Sequence, residues 1–371
     1  MESEFSYRIL IGGGGTGGHV FPAITIADSI RAEYPQTEFL FVGARGKLEM
    51  EKVPEAGYVI EGLPVTGFQR RFTLRNIAFF YKLAASMVLS RRIIRRFKPQ
   101  VAVGVGGYAS GPILKAAARK GIPILIQEQN SYAGITNRLL ARSAQTICVA
   151  YDRMERYFPA DRIIITGNPV RQQLVSDRGD RKADLAVFGL EDGKKTCLAV
   201  GGSLGARTIN ESLITGMEKL DRGDLQLIWQ CGKLYQEEVE DKVKKCGLQN
   251  IRVLPFISRM ESAYRVADVI ISRAGALTIS ELCLAGKPAI LVPSPNVAEN
   301  HQTRNAEALV SRNAAVMVPD QEARIRMVDT MLELLGNDQR LAQLSVNIKQ
   351  LGIPDASRRI ADEVIKLVGK K

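Results

Sequence analysis

A short apolar run that ends in a glycine loop occurs twice in this chain, and the repeat restricts its fold more than any other feature. The first copy is "YRILIGGGGTGGHV", residues 7–20, and the second is "KKTCLAVGGSLGARTIN", residues 194–210. Each reads as a first strand, a tight glycine turn and a helix start. A second matching pair follows, "VAVGVGGYASGP" at 101–112 and "DVIISRAGALTISE" at 268–281. Between them, "EFLFVG", "PILIQE", "TICVA" and "IIITGNP" alternate with helical stretches, and "LQLIWQCG", "IRVLPF" and "PAILVP" do so in the second half. Strands alternating with helices imply parallel sheets of βαβ units. The expected fold is therefore α/β, with two Rossmann-like, doubly wound domains. Ligands of such sheets bind at the C-terminal ends of the strands, so two domains facing one another would form a cleft there.

A chain of 371 residues is long enough for two such domains. Charges cluster and apolar periodicity fades between Pro169 and about Lys195, which marks a linker. The start, "MESEFSYRIL", is acidic and lacks the basic head and apolar core of a signal peptide. No segment approaches ~20 unbroken apolar residues, the length of a membrane span. Cys148, Cys197, Cys231, Cys246 and Cys283 are scattered, odd in number and form no CxxC, which argues for reduced thiols in the cytosol.

The net charge of +12 is unevenly placed. Residues 1–170 hold 22 Lys and Arg against 13 Asp and Glu, the remainder 29 against 26. Residues 68–98 alone carry nine basic residues and no acid. That segment reads as a solvated helix face, as a nucleic-acid site or as a membrane surface. No DNA- or RNA-reading motif accompanies it. Ile77, Phe79, Phe80, Leu83, Met87 and Val88 interleave with Arg75, Lys82, Arg91 and Arg92, a pattern that suits anionic lipid headgroups.

Residues 12–17 fit G-x-G-x-x-G, a weak signal alone. A dinucleotide site wants an acid at the end of the second strand, and "EFLFVGARGK" offers Arg45 instead, which leaves an NADP reading open. A nucleotide-triphosphate loop wants Gly-Lys-Ser/Thr, but Gly18 is followed by His19 and Val20. A purely structural turn needs one or two glycines. Six in seven positions suggest that a ligand approaches the backbone. Exposed N–H groups at a helix start suit an anion. His19 stands at the same junction, either as a plain first-turn residue or as a general base near neutral pH.

Seven motifs occur in order: "GGGTGGHVFPA", "GVGGYASGP", "QEQNSYAGITNRLL", "TGNPVR", "GGSLGAR", "SRAGALTISEL" and "ENHQTRNA". Together they resemble the MurG family of bacterial peptidoglycan glycosyltransferases over roughly residues 7–365. The resemblance implies the GT-B fold, two Rossmann-like domains across a cleft. It implies inverting transfer of N-acetylglucosamine from UDP-N-acetylglucosamine (UDP-GlcNAc) to the 4-hydroxyl of the N-acetylmuramyl group of lipid I, the undecaprenyl-diphosphate-linked pentapeptide. The products are lipid II and UDP. Another GT-B sugar transferase, or a sugar epimerase, is the alternative. A peripheral protein on the cytoplasmic face of the inner membrane is implied, meeting an anionic surface and other cell-wall and division proteins, with no nucleic acid as partner.

The resemblance also implies roles for individual residues. Thr16, Gly17 and Gly18 match first-loop positions near the donor sugar, and Asn130 an asparagine that contacts it. Arg171 and Ser203 match positions near the diphosphate, and Ile257 one whose backbone meets the uracil. Ala276, Leu277, Thr278, Ile279, Ser280 and Glu281 match the loop and helix start that hold the nucleotide, with Glu281 on the ribose. From the residues alone, the alternative reading of Glu281 is a first-turn acid of a helix. Gln302 matches a glutamine that reads sugar hydroxyls. His301 lies in the same donor-side motif, and His19 is the candidate base. The glycine loops are poor in acids and no Asp-x-Asp lies near them, so no metal and no cofactor is expected. Backbone N–H groups with Ser203 and Arg171 would hold the leaving diphosphate instead. The expected domains are 1–170 for acceptor and membrane, 171–350 for the UDP-sugar, and a helix at 351–371 returning to the first domain.

Overall fold

The computed structural model describes residues 6–65, 75–170, 179–202, 204–297 and 300–369; for residues 75–78 and 80 only the backbone is described. Tertiary contacts divide the chain into two compact units, Met1–Val170 with Ile353–Lys371, and Arg171–Gly352.

The first unit is built on β1 (Arg8–Gly12), β2 (Glu38–Ala44), β3 (Val59–Leu63), β4 (Val101–Gly104), β5 (Ile124–Glu128), β6 (Thr146–Val149) and β7 (Ile163–Ile165). All are parallel, in the order β3-β2-β1-β4-β5-β6-β7. Helices α1 (Gly17–Glu33), α2 (Glu49–Glu55), α3 (Arg75–Phe97), α4 (Ser110–Ala118) and α5 (Ile135–Leu140) form the crossovers. A strand covered on both faces must be apolar throughout. Accordingly, Ile9, Leu10 and Ile11 of β1 are fully buried, Leu10 in one core layer and its two neighbours in the other.

The second unit repeats the plan with β8 (Lys195–Val200), β9 (Leu225–Gln230), β10 (Ile251–Leu254), β11 (Val269–Ser272), β12 (Ala289–Leu291) and β13 (Val316–Met317), in the order β10-β9-β8-β11-β12-β13. Its α-helices are α6 (Arg181–Val187), α7 (Arg207–Thr215), α8 (Gln236–Lys245), α9 (Met260–Val266), α10 (Ala276–Ala285), α11 (His301–Val310), α12 (Ala323–Leu335) and α13 (Asp338–Lys349). Both sheets thus run 3-2-1-4-5-6 from one edge, the Rossmann order, and each reverses direction beside its first strand. The repeat of strand, glycine loop and helix is a repeat of whole domains.

The apolar pattern does not mark β3 or β13. Both are edge strands: β3 is interrupted by Glu61 and Gly62 and is mostly half-exposed, and β13 is only two residues long. The stretch between Pro169 and Lys195 is not all linker. Asp180 caps α6 by accepting from the Lys182 N–H at 3.2 Å, and Leu185 joins the core of the second unit.

The chain returns to the first unit at Ile353. Helix α14 (Ala356–Val368) sets Ile360, Ala361, Val364 and Leu367 into the same apolar layer as Val20 and Ile26 of α1. Gly167 has φ +82°, and a Cβ there would lie 2.9 Å from Ile353 Cβ. The "TGNPV" turn therefore needs a bare residue where the returning chain crosses it.

Candidate active site

In each unit the direction of winding reverses between two adjacent strands, and a glycine loop leaves each of them. In the first unit Gly12 is in register with Gly104, so the loops after β1 and β4 emerge side by side. They are packed on each other. A Cβ on Gly13 would lie 2.2 Å from Val105 Cγ2, and one on Gly107 would lie 2.1 Å from the Gly14 carbonyl oxygen. Gly14 in turn backs onto the carboxylate of Glu49. Protein therefore requires the bare backbone at 13 and 14. Open space begins at Gly15, whose Cβ position meets nothing within 4 Å; at Gly17 a Cβ would lie 3.2 Å from Phe21 Cε2, and at Gly18 only Thr16 Oγ1 lies near, at 3.7 Å.

Helix α1 starts at that open end. Thr16 is its N-cap, in extended conformation, and its carbonyl accepts from the N–H groups of His19 and Val20 at 3.0 and 3.1 Å. The Thr16 hydroxyl makes no cap bond but lies 3.2 Å from His19 Nδ1. Pro22 has no N–H, so the Gly18 carbonyl lacks the amide that would normally bond it four residues on. The His19 ring lies over the second loop, against Gly106.

Under this junction sits a polar group that the sequence motifs show only in part. Glu128, at the end of β5, is 2% exposed. It accepts from the backbone N–H groups of Asn130 and Gly134 at 3.1 and 3.0 Å and from Asn137 Nδ2 at 2.9 Å. Burial pushes its carboxyl above the ordinary value, against the pull of those donors. Gln129 donates to the Val105 carbonyl at 2.8 Å, and Asn168 donates to the Gln129 carbonyl at 3.0 Å. The loop that carries Asn130 and the turn that carries Val105 are thus tied together. Glu128, Gln129, Asn137 and Asn168 are the residues that sequence reasoning missed as individuals. The signal was present, since three amides and an acid in "QEQN" at the end of an apolar strand have to be satisfied internally once buried.

In the second unit Val200 is in register with both Gln230 and Ser272, which again brings two loops together. Gly205 has φ +80° and packs on the Cys231 carbonyl, where a Cβ would lie 2.0 Å from the oxygen. Asn210 of α7 donates to that carbonyl at 2.9 Å and accepts from the Trp229 indole N–H at 2.9 Å. Gly202, with φ +83°, has nothing within 4 Å of its Cβ position. Ser203 and Arg171 lie outside the described residues.

The loop after β11 is braced by a carboxylate. Asp320 accepts from Arg273, which opens the loop, and from Thr208 of α7 at 3.1 Å. Arg273 also donates to the Val292 carbonyl at 3.0 Å. Helix α10 begins at Ala276 behind an extended Gly275. Ala276 and Ile279 are buried, whereas Leu277, Thr278, Ser280 and Glu281 are half-buried. Glu281 is the sixth residue of the helix, beyond the first turn in which an acid benefits from the helix dipole. Tyr264 donates its hydroxyl to Glu281 Oε2 at 3.0 Å. Ile257 has its side chain in the core of the second unit. Gln302 accepts the Ser294 N–H at 2.8 Å, which orients its amide, and His301 precedes it as the first residue of α11.

In α3, Phe79, Lys82, Leu83 and Met87 are half-buried, and Tyr81, Ala84, Val88, Arg91, Arg92 and Arg95 form the exposed face. The side chains of Arg75, Ile77 and Phe80 lie outside the description. Among the described residues no helix is long and apolar enough to cross a membrane. Among them, too, no group of three or more His, Cys, Asp or Glu is placed to hold a metal ion.

Two Rossmann-like domains in one chain, each with paired glycine loops beside its first strand, define the GT-B class of glycosyltransferase architecture. Residues 9–149 match the N-terminal domain of glycosyltransferase family 28, and residues 196–360 match its C-terminal domain. The chain belongs to glycosyltransferase family 28. It is 56% identical over 362 residues to the UDP-N-acetylglucosamine–N-acetylmuramyl-(pentapeptide) pyrophosphoryl-undecaprenol N-acetylglucosamine transferase of Bacteroides fragilis, covering 97% of this chain and 95% of that one. To the transferase of the same name from Bacteroides thetaiotaomicron it is 55% identical over 369 residues, 99% of each chain. The crystal structure of Acinetobacter baumannii MurG superposes with a TM-score of 0.80 at 30% identity, covering 97% of this chain and 99% of that one.

Proposed function

We propose that this protein transfers N-acetylglucosamine from UDP-GlcNAc to the 4-hydroxyl of the N-acetylmuramyl group of lipid I, yielding lipid II and UDP for peptidoglycan synthesis. The observation that carries this reading is 56% identity, along nearly the whole chain, to a transferase so named. An epimerase or a transferase of another specificity would share the fold without that identity.

The chemistry assigns work to each unit. The bond from the anomeric carbon to UDP breaks as the bond to the acceptor oxygen forms on the opposite face, with inversion. The second unit, in this reading, holds UDP. Glu281 accepts from the ribose hydroxyls, the backbone of Ile257 meets the base, and Ala276 to Ser280 surround the nucleotide. The loop around Gly202, with Ser203 and Arg171, takes up the diphosphate charge. Gln302, with its carbonyl oxygen engaged by Ser294, turns its NH2 group toward a sugar hydroxyl. Thr16, Gly17, Gly18 and Asn130 of the first unit approach the sugar.

His19 takes the proton of the attacking hydroxyl. With the proton on Nδ1 and directed to Thr16 Oγ1, the lone pair lies on Nε2. A general base contributes ~10²–10⁴-fold. The acceptor is lipid-linked, and the exposed basic face of α3 suits an anionic bilayer surface. We therefore place the protein peripherally on the cytoplasmic face of the inner membrane. Residues 1–170 serve acceptor and membrane there and residues 171–350 the donor, beside other proteins of wall synthesis and division.

The test is a transfer assay with labelled UDP-GlcNAc and a lipid I analogue, with and without chelator. Formation of labelled lipid II in EDTA is expected. No transfer to that acceptor, or loss in EDTA that one divalent ion restores, would overturn the reading or its metal-free form respectively.

A further inference from the structure

We infer that Glu49 is a positioning residue that clamps the first glycine loop and so sets the geometry of the helix start bearing His19. This rests on the transfer reading above. Glu49 is 1% exposed and is the first residue of α2. Its Oε2 accepts the Gly15 N–H at 2.8 Å, and its Oε1 accepts the Ala44 N–H, also at 2.8 Å. One carboxylate thereby ties the turn after β1 to the end of the neighbouring β2.

Two glycines make room for it. A Cβ on Gly14 would lie 2.2 Å from Glu49 Oε1, and one on Gly43 would lie 2.4 Å from its Cγ. Gly14 also has φ +137°, which a side chain disfavours. The clamp falls where the loop changes character, since Gly14 faces protein and Gly15 faces open space. Beyond Gly15 the loop is held by its own helix start at Thr16. With the Gly15 N–H bonded to Glu49, the run from Gly15 to Gly18 departs from a fixed point. That run carries the Thr16 hydroxyl beside His19 Nδ1. A loop so short transmits a shift at Gly15 directly to the imidazole, and reaction rates are sensitive to misplacement on the ångström scale.

The chemistry of the side chain is specific. Two N–H groups need two acceptor oxygens, which a carboxylate has and an amide lacks. In Glu49→Gln one of the two N–H groups must face an NH2 group. The variant is expected to lose kcat by about 10- to 100-fold, while UDP affinity, which belongs to the second unit, stays unchanged. Amide hydrogen exchange in residues 13–20 should accelerate by roughly tenfold or more. Should Glu49→Gln not fold, Glu49→Asp, which keeps both oxygens but withdraws them by one methylene, takes the same tests.

Unchanged kcat and unchanged protection in a folded variant overturn the inference. So does a fall in kcat with protection unaltered, because the effect then bypasses the loop. Failure of both variants to fold also overturns it, since Glu49 is then a folding determinant. Absence of transfer by the wild type sinks the transferase reading instead, and the exchange comparison still decides whether Glu49 clamps the loop.

Discussion

The imidazole of His19 fills the space that a side chain on Gly106 would need: a Cβ there would lie 2.9 Å from both Cδ2 and Nε2 of the ring. Gly106 also has φ +93°. Gly106→Ala should therefore push the ring aside and strain the turn at a cost of about 1–3 kcal/mol. We expect kcat to fall about 10- to 100-fold with UDP affinity intact, measured by steady-state kinetics and calorimetry. Wild-type kcat in the variant would mean that the position of the ring does not matter to turnover.

If His19 is the base, its loss has a signature in pH. The wild-type rate should fall on the acid side as the imidazole takes up a proton and can no longer accept one. His19→Gln should lose that limb and about 10²- to 10⁴-fold in kcat. Persistence of the acid limb in the variant would assign the proton to another group. Thr16→Val, which keeps the shape but removes the hydroxyl beside Nδ1, should lower kcat by less than His19→Gln does.

Glu281 lies too far along α10 to serve the helix end, so its effect should appear in the donor. Glu281→Gln removes a charged acceptor worth about 1.5–3 kcal/mol. KM for UDP-GlcNAc should rise more than tenfold, with acceptor kinetics little changed. Tyr264→Phe deletes the hydroxyl that donates to Glu281 and should give a smaller rise in the same constant. Donor kinetics that stay unchanged in Glu281→Gln would remove this residue from the ribose.

Four of the five thiols are buried, and only Cys246 is exposed. Burial pushes Cys148 and Cys283 up to about 12, and raises Cys197 and Cys231 as well. An unfolded thiol ionises near 8.5, so above that pH the folded chain holds more protons than the unfolded one. The stability these thiols contribute is complete below about 8.5 and is lost as pH rises toward about 12. Lys287 opposes them: burial lowers it to about 8, and its contribution grows as pH rises toward the unfolded value. One lysine does not offset four thiols. The melting temperature should decline between about pH 8.5 and pH 10, and a native thiol titration should find one fast equivalent. Several fast equivalents would contradict the burial.

The exposed face of α3 places Arg91 and Arg92 beside Val88. Each cation near an anionic surface contributes about 1 kcal/mol. Arg91→Gln with Arg92→Gln should weaken binding to vesicles rich in anionic lipid by roughly 30-fold. Transfer to a short-chain soluble acceptor should persist. Equal sedimentation of wild type and variant would show that α3 meets something other than lipid.

The glycine motifs were legible because each marks a strand end where the chain must turn sharply, and a turn leaves its trace in consecutive residues. Their reason was less legible. Six glycines in seven positions read as room for a ligand, yet Gly13 is bare because Val105 stands against it and Gly14 because Glu49 does. Those neighbours lie tens of residues away in sequence. Likewise Glu128 reads as one acid in a polar motif, and only the folded chain shows it receiving bonds from Asn130, Gly134 and Asn137.

What the sequence by itself determined was the domain plan and the family. Buried parallel strands must be apolar along their length, and crossovers must be helices, so local pattern repeats wherever the architecture repeats. What only the tertiary structure decided was which residues share a site. Glu49 reaches Gly15 across 34 positions, and Asp320 reaches Thr208 across 112. Such bonds join elements brought together by strand order, and pattern within a single segment carries no record of the segment that will lie beside it. A short polar side chain bonds what is near it in space, and that nearness is created by burying apolar faces elsewhere in the fold.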